Sequence, residues 1–294
     1  MFGAIEAGGT KFNCALANST GEVVAKTQFP TRDPETTLID VVDFFSKVQA
    51  EFGAITAIGI GSFGPINIDP DSADYGRFLK TPKPGWSHFD FLGELKKSFN
   101  VPTIVETDVN TAVVAEHAAG AGQGCSDVVY VTIGTGVGGG IISGGKLIKG
   151  GIHPEVGHML LPRHPSDLEF AGACPFHGGC LEGLAAGPSM KARWGVPAET
   201  LGDDHIAWEI QAYYLAAMCV NLTATLSPQK IILGGGVSQK PGLIDLVATQ
   251  FTKLWGDYLP LPGSGSVSDY IVLPQLAPEA GLVGAIMLAQ QAAV

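Results

Sequence analysis

Charge is scarce in this 294-residue chain, at 15% of residues, and positive charge is scarcer still. Seventeen lysines and arginines face 28 aspartates and glutamates, for a net charge of -11. Such a chain repels nucleic-acid phosphates unless a basic patch offsets the repulsion, and no run of Lys and Arg supplies one. Nucleic acid is not an expected partner. Cysteine is also sparse: five stand at 14, 125, 174, 180 and 219, an odd number, and the opening Met1-Phe2-Gly3-Ala4-Ile5-Glu6 has no basic region ahead of an apolar stretch. A cytoplasmic location with free or metal-bound thiols is expected. Uninterrupted hydrophobic spans are missing too. Residues 128–145 carry seven glycines, and residues 210–229 include Gln211, Asn221 and Pro228, so both stretches read as buried core and no membrane partner is expected. With 46% hydrophobic residues and no Gly-X-Y period, disorder and collagen are excluded as well.

Glycine, by contrast, is abundant: 40 residues, nearly twice the roughly 7% of an average protein. Residues 2–16 read as a strand, a glycine turn and a second strand, closed by a polar tip at 18–21. Leu38, Val41, Val42, Phe45, Val48 and Phe52 recur at helical spacing before Gly53. Short buried strands are expected at 57–60 and 103–106, with a helix over 111–119. The second half repeats the theme. Residues 127–133 and 140–143 form the expected strands of a second hairpin, followed by a long helix at 207–227, a strand at 230–233 and a terminal helix at 281–293. Alternating strands and helices give an α/β class. At about 100 to 200 residues per domain, two domains are expected, 1–118 and 119–280, with the helix of 281–294 packing back on the first. A cleft between them is the expected ligand site.

Seventeen of the 40 glycines fall at 8–9, 59–64, 134–151 and 234–236. A turn without Cβ atoms brings backbone N–H groups close to phosphate oxygens, and Thr or Lys adds donors. Gly8-Gly9-Thr10-Lys11 and the run Gly134 to Gly140 are two such turns, and together they can clasp one polyphosphate. Either alone reads equally as a tight β-turn. Neither is a Walker A loop, and neither is the dinucleotide turn that feeds a helix.

Glu6-Ala7-Gly8-Gly9-Thr10-Lys11, Gly134-Thr135-Gly136-Val137-Gly138-Gly139-Gly140, Glu155-Val156-Gly157-His158 and Cys174-Pro175-Phe176-His177-Gly178-Gly179-Cys180-Leu181-Glu182 occur in the order found in ROK-family sugar kinases. The chain resembles that family over nearly its whole length. Gly61-Ser62-Phe63-Gly64-Pro65, Thr81-Pro82-Lys83-Pro84-Gly85-Trp86 and Glu106-Thr107-Asp108-Val109-Asn110 are most similar to its bacterial fructokinase branch. The resemblance implies a two-domain actin/hexokinase-like ATPase fold, built of duplicated ribonuclease H-like domains, with ATP and hexose in the interdomain cleft. It also implies magnesium, structural zinc and a homodimer. Gly8, Gly9, Thr10, Lys11, Thr132, Gly134, Thr135 and Gly136 are then the phosphate-side residues, and Gly234-Gly235-Gly236 the adenosine-side turn. Lys11 reads equally as a solvated hairpin lysine. Thr107, Glu155, His158, Glu182, Gly64 and Pro65 fall on the sugar side. Thr107 departs from the family's usual Asn, and Glu6 from the usual Asp near hydrated magnesium.

Asp108 falls on the family's catalytic Asp, where a carboxylate accepts the proton of the attacking sugar hydroxyl. On sequence alone it reads equally as an N-cap for a helix over 109–119. Glu155 and Glu182 likewise read as surface carboxylates outside the motif context. Cys174, His177 and Cys180, spaced Cys-x2-His-x2-Cys, bring three zinc-type ligands into one loop, with His158 as the fourth. His153 and His164 compete with these histidines, and two buried thiols beside an unrelated histidine is the alternative to a metal site. Trp86 is either a wall of the sugar pocket or packing.

The expected function is ATP-dependent phosphorylation of D-fructose to fructose 6-phosphate, with glucose, mannose or an N-acetyl hexosamine as alternative substrates. The rival from another class is a non-catalytic sugar-sensing protein. The DNA-binding repressors of the family carry an N-terminal helix-turn-helix, whereas this hairpin starts at residue 2.

Overall fold

The computed structural model describes residues 1–263 and 265–294, in two compact units: Met1–Ala115 with Lys149–His153 and Pro278–Val294, and Glu116–Ile148 with Pro154–Ala277. In the first unit, β1 (Phe2–Ala7) and β2 (Lys11–Ala17) form the expected hairpin, with Glu6 opposite Asn13. A third strand that the sequence reading omitted, β3 (Val23–Pro30), continues the sheet antiparallel to β2. Val23, Val24 and Ala25 run together before Lys26, Thr27 and Gln28, so the apolar–polar alternation that marks a strand with one buried face is absent. Asn18 makes the turn before it, its side-chain oxygen accepting from the amides of Thr20 and Glu22 at 3.0 Å.

Helix α1 (Pro34–Phe52) starts earlier than its apolar period suggests, because Asp33 caps it: the Thr36 amide donates to Oδ1 at 2.8 Å, and Pro34 follows at the first helical position. Val41, Phe45 and Val48 bury its inner face. Strand β4 (Ala57–Ser62) runs parallel to β1, α2 (Phe91–Ser98) follows, and β5 (Thr103–Thr107) runs parallel to β4. The sheet order is β3-β2-β1-β4-β5. Helix α3 (Asp108–Ala119) begins on the next residue. It lacks an apolar stripe because its first turns are buried on nearly all sides. Trp86 is fully buried among Phe12, Phe63, Phe78, Phe89 and Phe91, which settles its role as packing.

The second unit repeats the topology with β6 (Val128–Ile133), β7 (Val137–Ser143), β8 (Lys146–Leu147), β9 (Lys230–Gly234) and β10 (Ile271–Val272), ordered β10-β9-β6-β7-β8. Read from the β8 edge, the pairing repeats that of the first sheet: a hairpin whose first strand pairs in parallel with the next. Helices α4 (Leu181–Ala185), α5 (Gly187–Trp194), α6 (Ile206–Leu226), α7 (Leu243–Trp255) and α8 (Val267–Tyr270) complete the unit. Helix α6 is apolar all round and sits in the core through Ile210, Tyr214, Leu215 and Met218. Among the described residues no helix is long and apolar enough to cross a membrane.

The last helix, α9 (Ala280–Ala292), belongs to the first unit and lies on β1 and β4. Ala4, Ala15 and Ala17 meet Leu282, Ala285 and Ile286 there. The approach is close enough that a Cβ on Gly59 would collide with the Ala285 carbonyl, and one on Gly284 with the Thr111 carbonyl. Gly59 therefore answers to helix–sheet packing. A Gly59→Val substitution is expected to destabilise the protein by about 3 kcal/mol, since backbone atoms cannot yield as a side chain can. Gly202→Ala, where no atom lies within 4 Å of the added carbon, is expected to stay within about 0.5 kcal/mol. Urea midpoints of the two variants check the contrast.

Candidate active site

Strand β5 ends at Thr107 and α3 starts at Asp108 with no loop between them. The Asn110 amide donates to the Thr107 hydroxyl at 3.2 Å, so Thr107 is the N-cap and Asp108 the first helical residue. This corrects the capping alternative for Asp108. It also explains how Thr can replace Asn at 107, since both side chains cap helices. The Val109 amide donates to Asp108 Oδ1 at 2.8 Å, which fixes the carboxylate at the strand end. Beneath it lies a buried polar group that the sequence reading missed. Glu106, 2% exposed, accepts from Asn110 Nδ2 at 2.9 Å and pairs with the Lys149 ammonium. The spacing of Glu106 and Asn110, four apart across a strand end, was visible in the sequence. Lys149, 43 positions away from Glu106, carried no signal.

At the tip of the first hairpin, the Gly8 amide donates to the Lys11 carbonyl at 2.9 Å, Thr31 Oγ1 donates to the Gly8 carbonyl at 2.6 Å, and the Thr31 amide donates to the Thr10 carbonyl at 2.9 Å. Nothing lies within 4 Å of the position a Gly9 Cβ would take. Glu6, on β1, accepts from Asn13 Nδ2 at 2.7 Å, and Asn13 Oδ1 accepts from Gln28 at 2.7 Å. Burial pushes the Glu6 carboxyl above its usual range, opposed by the Asn13 hydrogen bond and the Lys11 charge. Lys11 is exposed.

The second hairpin turn is shorter than expected. Strand β7 begins at Val137, so Gly138, Gly139 and Gly140 are ladder residues opposite Thr132, Val131 and Tyr130, and only Gly134-Thr135-Gly136 turns. The Gly134 amide donates to the Gly136 carbonyl at 2.9 Å, and the Gly187 amide donates to the Gly134 carbonyl at 2.8 Å. Glu182 stands behind this turn, its Oε2 accepting from the Val137 amide at 3.0 Å. Thr132 lies between Gly138 and Gly234 in the sheet. Gly234 closes β9, where a Cβ would collide with the Tyr130 hydroxyl, and Gly235 takes φ +83° against the Ile133 backbone. Two of the three glycines thus answer to internal packing. Only Gly236 is open on its Cβ side.

His158, Cys174, His177 and Cys180 come together with all four donor atoms within 4.8 Å of one another. His158 Nδ1 lies 3.5 Å from Cys180 Sγ and 3.9 Å from Cys174 Sγ, and His177 Nδ1 lies 3.7 Å from Cys174 Sγ. Tetrahedral zinc with its ordinary bond lengths separates such atoms by about 3.3 to 3.8 Å, so the donor set fits that ion. The loop is preformed: the Cys174 amide donates to the Gly178 carbonyl at 3.1 Å and the Gly178 amide returns a bond to Cys174 at 2.9 Å. His158 turns its other nitrogen toward Glu155, with Nε2 3.9 Å from Oε2. The competing histidines lie elsewhere. His164 accepts from the Ser166 amide through Nδ1 at 3.1 Å and packs edge-on against Tyr213, and the His153 ring faces Gly64, next to Pro65 in the first unit.

A family model described as "ROK family" matches residues 2–292. A fructokinase of Streptococcus mutans is 43% identical over 296 residues, covering 100% of this chain and 98% of that protein. A fructokinase of Zymomonas mobilis is 41% identical, covering 98% and 96%. Among solved structures, a ROK family glucokinase from Streptomyces griseus in complex with glucose and AMPPNP is 28% identical, covers 98% of both chains and superposes with a TM-score of 0.74.

Because Thr107 caps α3, Thr107→Ala is expected to cost about 1 kcal/mol, while Thr107→Asn, which keeps a capping oxygen, holds wild-type stability to within about 0.5 kcal/mol. Thermal unfolding of the two variants separates capping from any ligand role.

Proposed function

The chain belongs to the ROK family, and from that premise we propose that it is an ATP-dependent hexose kinase whose substrate is D-fructose and whose product is fructose 6-phosphate. One observation carries the choice of sugar: full-length identity of 41–43% to fructokinases, against 28% to a glucokinase that shares the fold. The reading gives Gly8, Gly9, Thr10 and Lys11 of the first unit, and Thr132 and Gly134-Thr135-Gly136 of the second, to the phosphates of ATP. Gly234-Gly235-Gly236 takes the adenosine, with Gly236 as the position open to a ligand. Gly64, Pro65, Thr107, Glu155, His158 and Glu182 take the sugar hydroxyls. A carboxylate or imidazole left unpaired by a wrong epimer costs affinity, which is how such a set selects stereochemistry.

Asp108 is the general base. Its carboxylate accepts the proton of the 6-hydroxyl as that oxygen attacks the γ-phosphorus and the bond to the β-bridging oxygen breaks, leaving ADP. The capped, loop-free strand end keeps it in one place, and positioning is the larger part of catalysis in phosphoryl transfer. Glu6 is assigned to the water shell of magnesium. A single half-buried carboxylate suits that indirect role, and the bound cation neutralises phosphate charge. Cys174, Cys180, His158 and His177 hold a structural zinc that stiffens the loop carrying Glu182. A homodimer completes the proposal, on the family resemblance alone.

Sugar-dependent ADP release across a panel of fructose, mannose, glucose and N-acetyl hexosamines is expected to rank fructose first; no sugar-dependent release overturns the kinase reading. Asp108→Asn is expected to lower kcat by about 100- to 10,000-fold with sugar affinity kept, as measured by calorimetry, and near-normal turnover removes Asp108 from the mechanism. Metal analysis is expected to find about one zinc per chain, lost in Cys174→Ser together with several degrees of Tm; a metal-free protein of unchanged Tm contradicts the zinc assignment.

A further inference from the structure

The segment Thr81-Pro82-Lys83-Pro84-Gly85-Trp86 carries two prolines, which restrict its backbone, and is anchored at both ends, yet the catalytic reading leaves its lysine without a task. Thr81 Oγ1 donates to the Gly64 carbonyl at 3.2 Å, and Trp86 Nε1 donates to the Arg32 carbonyl at 2.8 Å. Between these anchors Lys83 Nζ donates to the Gly9 carbonyl at 2.7 Å and to the Thr31 carbonyl at 3.2 Å. With that contact, every main-chain carbonyl from Gly8 to Lys11 is bound by a donor of the protein: Thr31 Oγ1 on Gly8, Lys83 on Gly9, the Thr31 amide on Thr10 and the Gly8 amide on Lys11.

The consequence is electrostatic. A carbonyl oxygen turned toward a phosphate repels it, whereas an amide attracts it, and glycine peptides rotate between the two with little steric hindrance. Gly9 is the loosest point of the tip, since no atom lies within 4 Å of its Cβ position. Its carbonyl is the one held by a charged donor, which makes a stronger bond than a neutral one. The Lys83 ammonium is held by two carbonyls, of Gly9 and Thr31, which places its positive charge at the tip of the hairpin.

We propose that Lys83 is a positioning residue for the terminal phosphates of the nucleotide: it fixes the Gly9 peptide by holding its oxygen on the ammonium and places a positive charge at the turn. The proposal rests on the assignment of the Gly8-Gly9-Thr10 turn to phosphate. Lys83 acts through the turn, and no contact between Lys83 and the transferred group is required.

Calorimetry with AMPPNP and with AMP tests it on wild type, Lys83→Met and Lys83→Arg. Lys83→Met, which keeps the stem and loses the ammonium, is expected to weaken AMPPNP about tenfold while AMP, lacking the terminal phosphates, stays within about twofold. Lys83→Arg recovers most of the loss, and KM for the sugar is unchanged in both variants. Unchanged AMPPNP affinity in Lys83→Met, or equal losses for AMPPNP and AMP with a lowered Tm, overturns the proposal and leaves the nucleotide reading standing. A wild-type protein that binds neither nucleotide overturns both.

Discussion

Buried main-chain groups need hydrogen-bond partners even where a strand stops, and the first unit meets that demand at β5 without a loop. The Thr107 hydroxyl takes the Asn110 amide, so a helix begins on the residue after the strand ends. Asp108 has no slack in chain position. The same turn brings Asn110 to Glu106, and the half-buried ammonium of Lys149 compensates the buried carboxylate. An uncompensated carboxylate there would be costly, so the pair keeps the strand end intact under a site that must handle further negative charge. Helix α9 adds rigidity from the other side, since it packs against β4 at backbone contact.

Much of this was legible in the sequence. Both hairpins, the helix whose apolar period runs from Leu38 to Phe52 and the long apolar helix follow from local pattern, whereas the Asp33 cap that starts the first of these helices at Pro34 came from the structure. The four metal-type ligands followed from a motif whose members lie within 23 positions of one another. What escaped has physical reasons. Strand β3 is a half-exposed edge strand in which Val23, Val24 and Ala25 run together before Lys26, Thr27 and Gln28, so no two-residue period shows. Lys149 meets Glu106 only through the fold. Capping distinguishes Thr107 from Asp108 by dihedral angle and direction, which composition does not encode.

Glycine was the most misleading signal. Its clustering suggested a backbone that approaches ligand, and at Gly9, Gly134 and Gly236 the Cβ side is open, as that reading requires. Yet Gly59 faces a helix backbone, Gly234 the Tyr130 hydroxyl and Gly139 the Val156 side chain. Those glycines serve close packing of protein on protein. Gly138 to Gly140 lie in a strand, so the phosphate turn proposed for the second unit has three residues and not seven. The two units then share one device: a hairpin with a short tip whose carbonyls are held by donors of the protein, by Thr31 and Lys83 in one and by Gly187 in the other.

Transfer of a phosphoryl group to one carbon of one sugar is the reaction on which every assigned residue role depends. Carbon-13 NMR of labelled D-fructose incubated with the protein, ATP and magnesium tests this directly. The predicted spectrum shows the C6 resonance displaced and split by phosphorus, with one ADP formed per sugar converted. An unchanged C6 resonance with ATP intact, or phosphorus coupling at C1, contradicts it.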